Sequence, residues 1–299
     1  MTRTLVVKLL RDLRVNLIVV MLVLFFFQLL WANVTQRITT EVLRDLESEL
    51  RIDADDLQRI VAKVLFKRSG KIVQALMGGE TIAFYRVMDL LSVAYVHPLT
   101  QVILCVWAIG RAAGALAGEI DRGTMELLLA QPIRRSQIVL AHLYADWITI
   151  SLLGASMWLG TWCGVWLNGL DAPTVSGAAR SVRFLPALLS VAALLFAVSG
   201  TTLAISSAGR SRNRVLGIAV LVTLLQFLLN LIGQLWPPLM PYRPLTIFYY
   251  YHPQEMILEA SWYGNGQLWG YVVVLALVGA AGYAFAWWRF CTRDVPAPL

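Results

Sequence analysis

Charge is what this sequence has little of. Only 14% of its 299 residues are Asp, Glu, Lys or Arg, while 58% are hydrophobic. A soluble domain averages roughly 25% charged and 45–50% apolar, so a soluble globular body is excluded. Cysteine is nearly absent. Cys105 and Cys163 fall inside apolar runs, Cys291 lies just past the last run, and no Cys-x-x-Cys occurs. Such thiols make neither a disulfide framework nor a zinc site. Histidine numbers three. His252 and Glu255 stand three apart and would need further ligands to hold a metal, so a surface pair is expected and no metal site. A phosphate-binding G-x-x-x-x-G-K-[ST] loop is also missing. Ser69-Gly70-Lys71-Ile72 lacks both the first glycine and the final hydroxyl, which excludes ATP binding by a P-loop on this chain.

Long apolar runs are what the sequence has in quantity. Crossing the hydrocarbon core takes about 20 apolar residues in a helix. Six stretches qualify: 15–34, 90–117, 138–167, 184–208, 215–236 and 267–288. All are expected to be helices, because an isolated strand leaves its backbone unsatisfied in lipid. The first run ends in Trp31-Ala32-Asn33-Val34 without a small-x-small cleavage site, and reads as a retained anchor. The net charge of +7 is not gathered into one soluble patch, so no nucleic-acid partner is expected. Most basic residues flank the apolar runs on one side: Arg3, Lys8, Arg11 and Arg14; Arg111, Arg122, Arg134 and Arg135; Arg210, Arg212 and Arg214; Arg289 and Arg293. The opposite short loops hold only Arg180, Arg183 and Arg243. By the positive-inside bias, both termini should be cytoplasmic. Residues 35–89 carry nine basic and nine acidic side chains and are discounted as too long for that rule.

Between the second and third runs lies 119–135, EIDRGTMELLLAQPIRR. Glu119 and Asp121 open it, and Arg134 and Arg135 close it, an order that complements a helix dipole. Gly123 should interrupt the incoming helix, Thr124 should cap a new one, and Pro132 should stop it. Leu127 to Leu129 offer an apolar ridge. The residues Glu119, Asp121, Gly123, Thr124, Glu126, Leu128, Pro132, Arg134 and Arg135 lie in a stretch that resembles the Glu-x-x-x-Gly-Thr-x-Glu-Leu-Leu-x-x-Pro-x-Arg signature of exporter-type (ABC-2 type) ABC-transporter permeases, with one further residue between the leucines and the proline.

That resemblance implies a good deal. The fold would be an all-α membrane protein of six transmembrane helices in a plasma (inner) membrane of a bacterium. Residues 1–14 would be an amphipathic elbow helix, 15–34 the first span, 35–89 an external helical insert, and 90–299 a five-span core. The segment 119–135 would be the coupling helix that docks on a separate cytoplasmic ATPase subunit. ATP and magnesium would sit on that partner, with no cofactor on this chain. A second permease copy or a paralogue would complete a dimer in the lipid membrane. The function implied is movement of a substrate driven by the partner's ATP hydrolysis. Relatives in copper-enzyme maturation instead transmit motion to an external accessory protein. Family members often have only a short connection where this chain has 35–80, and that insert would suit the second role.

Smaller features stay open at this level. Gly110, Gly114 and Gly118, and likewise Ser156, Gly160 and Gly164, allow close helix approach, with packing inside one subunit favoured over a dimer seam. Gln226, Asn230 and Gln234 lie on one face of the fifth span. They read equally as interhelical glue or as the lining of a pathway or dimer seam. Asp146 pairs with Arg111 or sits partly solvated near the interface, and the second reading is slightly preferred. His97-Pro98 reads as a kinked helix start. The segment 237–266, rich in proline and aromatics, is either a pair of short re-entrant helices, as in the resembled family, or an interfacial loop. Gly154-Ala155-Ser156 is similar to the Gly-x-Ser of an intramembrane serine protease, but no histidine is placed to act as base, and no catalytic residue is expected.

Overall fold

The computed structural model describes residues 2–42, 86–172, 179–259 and 266–293. Six helical stretches among them are long and apolar enough to cross a membrane. Helix α1, Thr2–Arg37, is continuous. An elbow separate from the first span is not seen, and the expected boundary at residue 14 falls inside one helix. The reason is local: the sequence from 2 to 37 contains neither glycine nor proline to break it. At 1.5 Å per residue its 36 residues reach about 54 Å, well beyond a hydrocarbon core of about 30 Å. Of the helical insert expected at 35–89, residues 35–37 end α1, Ile38–Val42 continue it as a π-helical turn, and Val87 to Asp89 open the next helix, while 43–85 lie outside the described residues.

The second span is made of two pieces, α2 (Val87–Val96) and α3 (Pro98–Ala115). Pro98 lacks an N–H and pushes the preceding residue out of helical geometry. His97 accordingly has φ −56° and ψ 133°. The expected kink is therefore present, and polar side chains repair it. Thr100 Oγ1 donates to the Ala94 carbonyl at 2.8 Å, and Gln101 Nε2 donates to that of Val96 at 2.6 Å. All ten residues of α2 are buried. Protein surrounds it, and apart from Asp89 and Ser92 it is apolar, as expected for a helix with no solvent face. Trp31 of α1 donates to the Leu90 carbonyl at 2.8 Å, and Tyr251 donates to that of Tyr95 at 2.7 Å.

The remaining elements follow in order. Short helices α4 (Ala117–Asp121) and α5 (Thr124–Leu129) lead to the third span, α6 (Arg135–Leu167). The fourth span is α7 (Leu185–Ala208) and the fifth α8 (Arg212–Leu235). Tight 3-10 turns, Pro237–Leu245 and Ile247–Tyr250, precede a short helix α9 (Pro253–Leu258) and the sixth span, α10 (Gly266–Thr292).

Glycine decides which helices touch. On α6, Ser156, Gly160 and Gly164 face α1. Ser156 Oγ donates to the Met21 carbonyl at 2.5 Å, and a Cβ on Gly160 would lie 3.0 Å from Phe25 Cα. The favoured reading of that stripe, packing within the subunit, holds. It also removes Ser156 from any nucleophilic role. Gly114 and Gly118 instead leave room for the Arg212 side chain, at 3.7 and 3.6 Å from where their Cβ atoms would stand. A further seam goes beyond the sequence reading. Gly200 of α7 meets Gly279 and Gly282 of α10 backbone to backbone. The Gly-x-x-Gly spacing at 279–282 is its visible sign. Helix α8 is peripheral, with only Val215, Ala219 and Gly233 buried.

Candidate functional site

The segment 119–135 stands at one end of the bundle, where the ends of all six spans meet. Gly123 adopts φ 69°, a left-handed conformation that glycine takes without strain, and so occupies the cap of α5 itself. Thr124 does not cap the helix as expected. Its hydroxyl turns back to donate to Glu119, 2.5 Å from Oε2 and 3.2 Å from the backbone carbonyl. Arg122 also donates to Glu119 Oε1, at 2.7 Å. Glu119 is therefore a clasp that closes the turn from α4 to α5.

Two other expected contact residues are spent on the bundle. Asp121 Oδ2 accepts from the Arg212 backbone N–H at 3.2 Å and so caps α8 from outside. Arg135 Nη1 donates to the Arg293 carbonyl at 2.5 Å and that of Phe290 at 3.4 Å, satisfying orphan carbonyls at the end of α10. The leucine ridge also resolves differently than expected. Leu127 is 70% exposed, whereas Leu128 and Leu129 are half-buried. Leu128 faces Leu5, Leu9 and Ile138 across a narrow gap that brings the start of α1 to this same end. The turn after Leu129 runs through Pro132, which is exposed, and Arg134 begins α6, its N–H bonded to Gln137 Oε1 at 3.0 Å. What remains outward is a patch of Glu126, Leu127, Gln131, Pro132 and Arg134.

The surroundings of the patch are strongly basic. Arg293 Nη1 donates to the Ser207 and Gly209 carbonyls at 3.0 and 3.2 Å. Burial, with Arg289 and Arg210 nearby, pushes its pKa below the ordinary arginine value. Ser206 of α7 pins the break between α3 and α4, accepting from the Ala117 N–H at 3.0 Å and donating to the Ala113 carbonyl at 3.2 Å.

Just inside this end, Arg111 of α3 and Tyr283 of α10 both donate to Asp146 Oδ2 of α6. Asp146 is 1% exposed and Arg111 7%. The preferred reading of Asp146 as partly solvated is corrected. A carboxylate in an apolar interior is retained by pairing and hydrogen bonding. Tyr283 escapes a sequence reading because a lone tyrosine in an apolar run carries no distinguishing pattern. His142 is buried one turn away.

At the other end of α8, the stripe of Gln226, Asn230 and Gln234 faces the returning chain. Gln226 Oε1 accepts from the Ile247 N–H at 3.1 Å, and Asn230 Oδ1 from Arg243 Nε at 3.2 Å. Gln234 lines a cavity of about 50 Å³ together with Gln101, Asn230, Arg243 and His252. His252 Nδ1 also lies 3.1 Å from Glu255 Oε1, the expected pair. The short helix α9 packs on α2, and Met256 and Ile257 are buried. Of the two readings left open for 237–266, the described part is short helices and turns folded onto the bundle.

Comparison with known proteins adds the family. No individual curated protein matches the chain. The family model described as "ABC-2 family transporter protein" matches residues 6–295, which takes in all six spans and the 119–135 segment. This chain, a multi-pass membrane protein, belongs to the ABC-2 transporter family.

Proposed function

We propose that this chain is the membrane subunit of an ATP-driven exporter, working as a dimer of permeases with two copies of a separate cytoplasmic ATPase. The observation that carries the reading is the outward patch around Leu127, which is 70% exposed at the tip of a short, internally clasped helical turn. An exposed large apolar side chain ringed by Glu126 and Arg134 suits a protein partner, with the leucine as anchor and the charges as rim. Glu119, Asp121 and Arg135 serve as ties between the patch and α4, α8 and α10, so force applied at Leu127 reaches the spans. ATP binding and hydrolysis belong to the partner in this scheme. The basic residues at this end support a cytoplasmic placement.

Co-purification with the ATPase tests the idea. Leu127→Asp, Glu126→Lys and Arg134→Glu should each reduce assembly or coupled activity while membrane insertion stays normal. Wild-type assembly and wild-type coupled activity in all of them would sink it. The reading in which the subunit drives an external accessory protein rests on the polar insert. Removing 43–80 should then abolish the accessory's maturation but leave ATPase assembly intact. Loss of transport with no accessory involved decides for the exporter.

A further inference from the structure

The turn Pro237–Leu245 folds back against the last turns of α8, and its one cation, Arg243, is set into that contact. Gly233 makes the seat. A Cβ there would stand 2.5 Å from Arg243 Cγ and 3.0 Å from Cδ. Asn230 Oδ1 holds Nε at 3.2 Å, and the guanidinium carbon lies 5.3 Å from the centre of the Tyr249 ring. Stem, Nε and one face are thereby fixed. The Nη groups have neither a hydrogen-bond acceptor nor a carboxylate partner among the described residues. Partial burial lowers the group's pKa from the ordinary arginine value, although it stays charged.

The cavity beside Arg243 is polar on the same side. Gln101, Asn230, Gln234 and His252 line it. Gln234 Oε1 is buried without a partner, and turning the amide over puts Nε2 in its place as a donor. Its volume of about 50 Å³ gives room for roughly three to five waters, hence for one tetrahedral oxyanion. The Arg243 Nη groups are not shut off from the surface, so an incoming anion can reach them. Arginine meets phosphate through paired N–H donors. Around the seat the surface is apolar: Trp236, Met240, Tyr242 and Leu245 are 56%, 61%, 52% and 77% exposed. Along α8, Leu228 and Ile232 are exposed as well. In a membrane protein such a rim belongs among lipid chains.

We infer that Arg243, Gln234 and Asn230 form a binding site for the phosphate headgroup of an acidic amphiphile, whose chains lie along the exposed face of α8. The inference goes beyond the exporter reading and stands without it, because the binding needs no ATPase.

The test uses the full chain, purified into nanodiscs of phosphatidylcholine with a minor share of phosphatidylglycerol, and native mass spectrometry of the retained lipid. Wild type should retain phosphatidylglycerol over phosphatidylcholine by roughly tenfold, the order expected of a charge-assisted hydrogen-bonded pair. Arg243→Gln should abolish that preference, and Arg243→Lys should keep part of it. Arg214→Gln, at the far end of α8, should leave it unchanged. Gly233→Ala keeps the charge and raises helix propensity but crowds the arginine stem. It should lose the preference too, and it carries the test if Arg243→Gln does not fold. Displacement of the lipid by inorganic phosphate would support the oxyanion site and give it to the free ion. A preference that survives both Arg243→Gln and Gly233→Ala overturns the site. So does an equal loss in Arg214→Gln, which would mark general basic attraction.

Discussion

The Asp146 cluster shows what single residues contribute here. Three spans meet at one carboxylate, and each donor removed leaves a buried acceptor short. Arg111→Ala should destabilise by about 3–5 kcal/mol, because the charge of Asp146 is then uncompensated. Tyr283→Phe should cost about 1–3 kcal/mol, the loss of one buried hydrogen bond. The double variant Arg111→Met with Asp146→Leu should be more stable than Arg111→Ala alone, since both charges leave together. Thermal unfolding in detergent ranks the three variants. A double variant that unfolds at or below the temperature of Arg111→Ala would mean that the pair holds the fold by more than charge. The sequence names Arg111 and Asp146 as partners but does not choose between pairing and solvation. That choice depends on how α3 and α6 face each other, which no local pattern records.

At the scale of elements, packing is decided by where Cβ atoms are missing. Gly200→Val should lower the unfolding midpoint sharply, because the new side chain would meet the backbone of Gly279. Overpacking of this kind costs about 1–3 kcal/mol and occasionally more. Gly110→Ala is the contrast: nothing stands within 4 Å of its added Cβ. Removing a glycine from a helix interior there should stabilise by about 0.5–1 kcal/mol. Equal effects from the two would remove the distinction between seam and surface. The six spans, the break at His97-Pro98 and the interruption at Gly123 are legible in the sequence because length, proline and glycine act locally. Less legible is the use made of the charged residues between spans. Asp121 and Arg135 cap helices that begin or end far away in sequence, and Thr124 answers to Glu119 rather than to its own helix. The seam of Gly200 with Gly279 and Gly282 is half visible, since one partner helix shows a repeat and the other a single glycine.

For the whole molecule, the division of charge between the two ends sets a directional test. We expect the end bearing Leu127 to be cytoplasmic and the end bearing Val182 and Leu245 to be outside. Leu127 and Val182 are 70% and 62% exposed and lie in the connections between spans. With Cys105, Cys163 and Cys291 replaced, cysteine at 182 should react with an impermeant thiol reagent added to intact cells. Cysteine at 127 should react only after the cells are opened. The opposite pattern would put the 119–135 patch out of reach of any cytoplasmic ATPase.

The backbone contact of α7 with α10, and the seating of α1 on α6 through Gly160 and Gly164, also set the mechanics of the molecule. Helices joined without intervening side chains have no slack. Sliding or parting them opens a void that neither lipid tails nor neighbouring rotamers can fill quickly. Each pair therefore behaves as a stiff plank. Compliance is left to the joints between planks, among them the sparsely buried α8. If the chain works as proposed, its cycle is expected to tilt these planks about those joints, with each helix pair keeping its register.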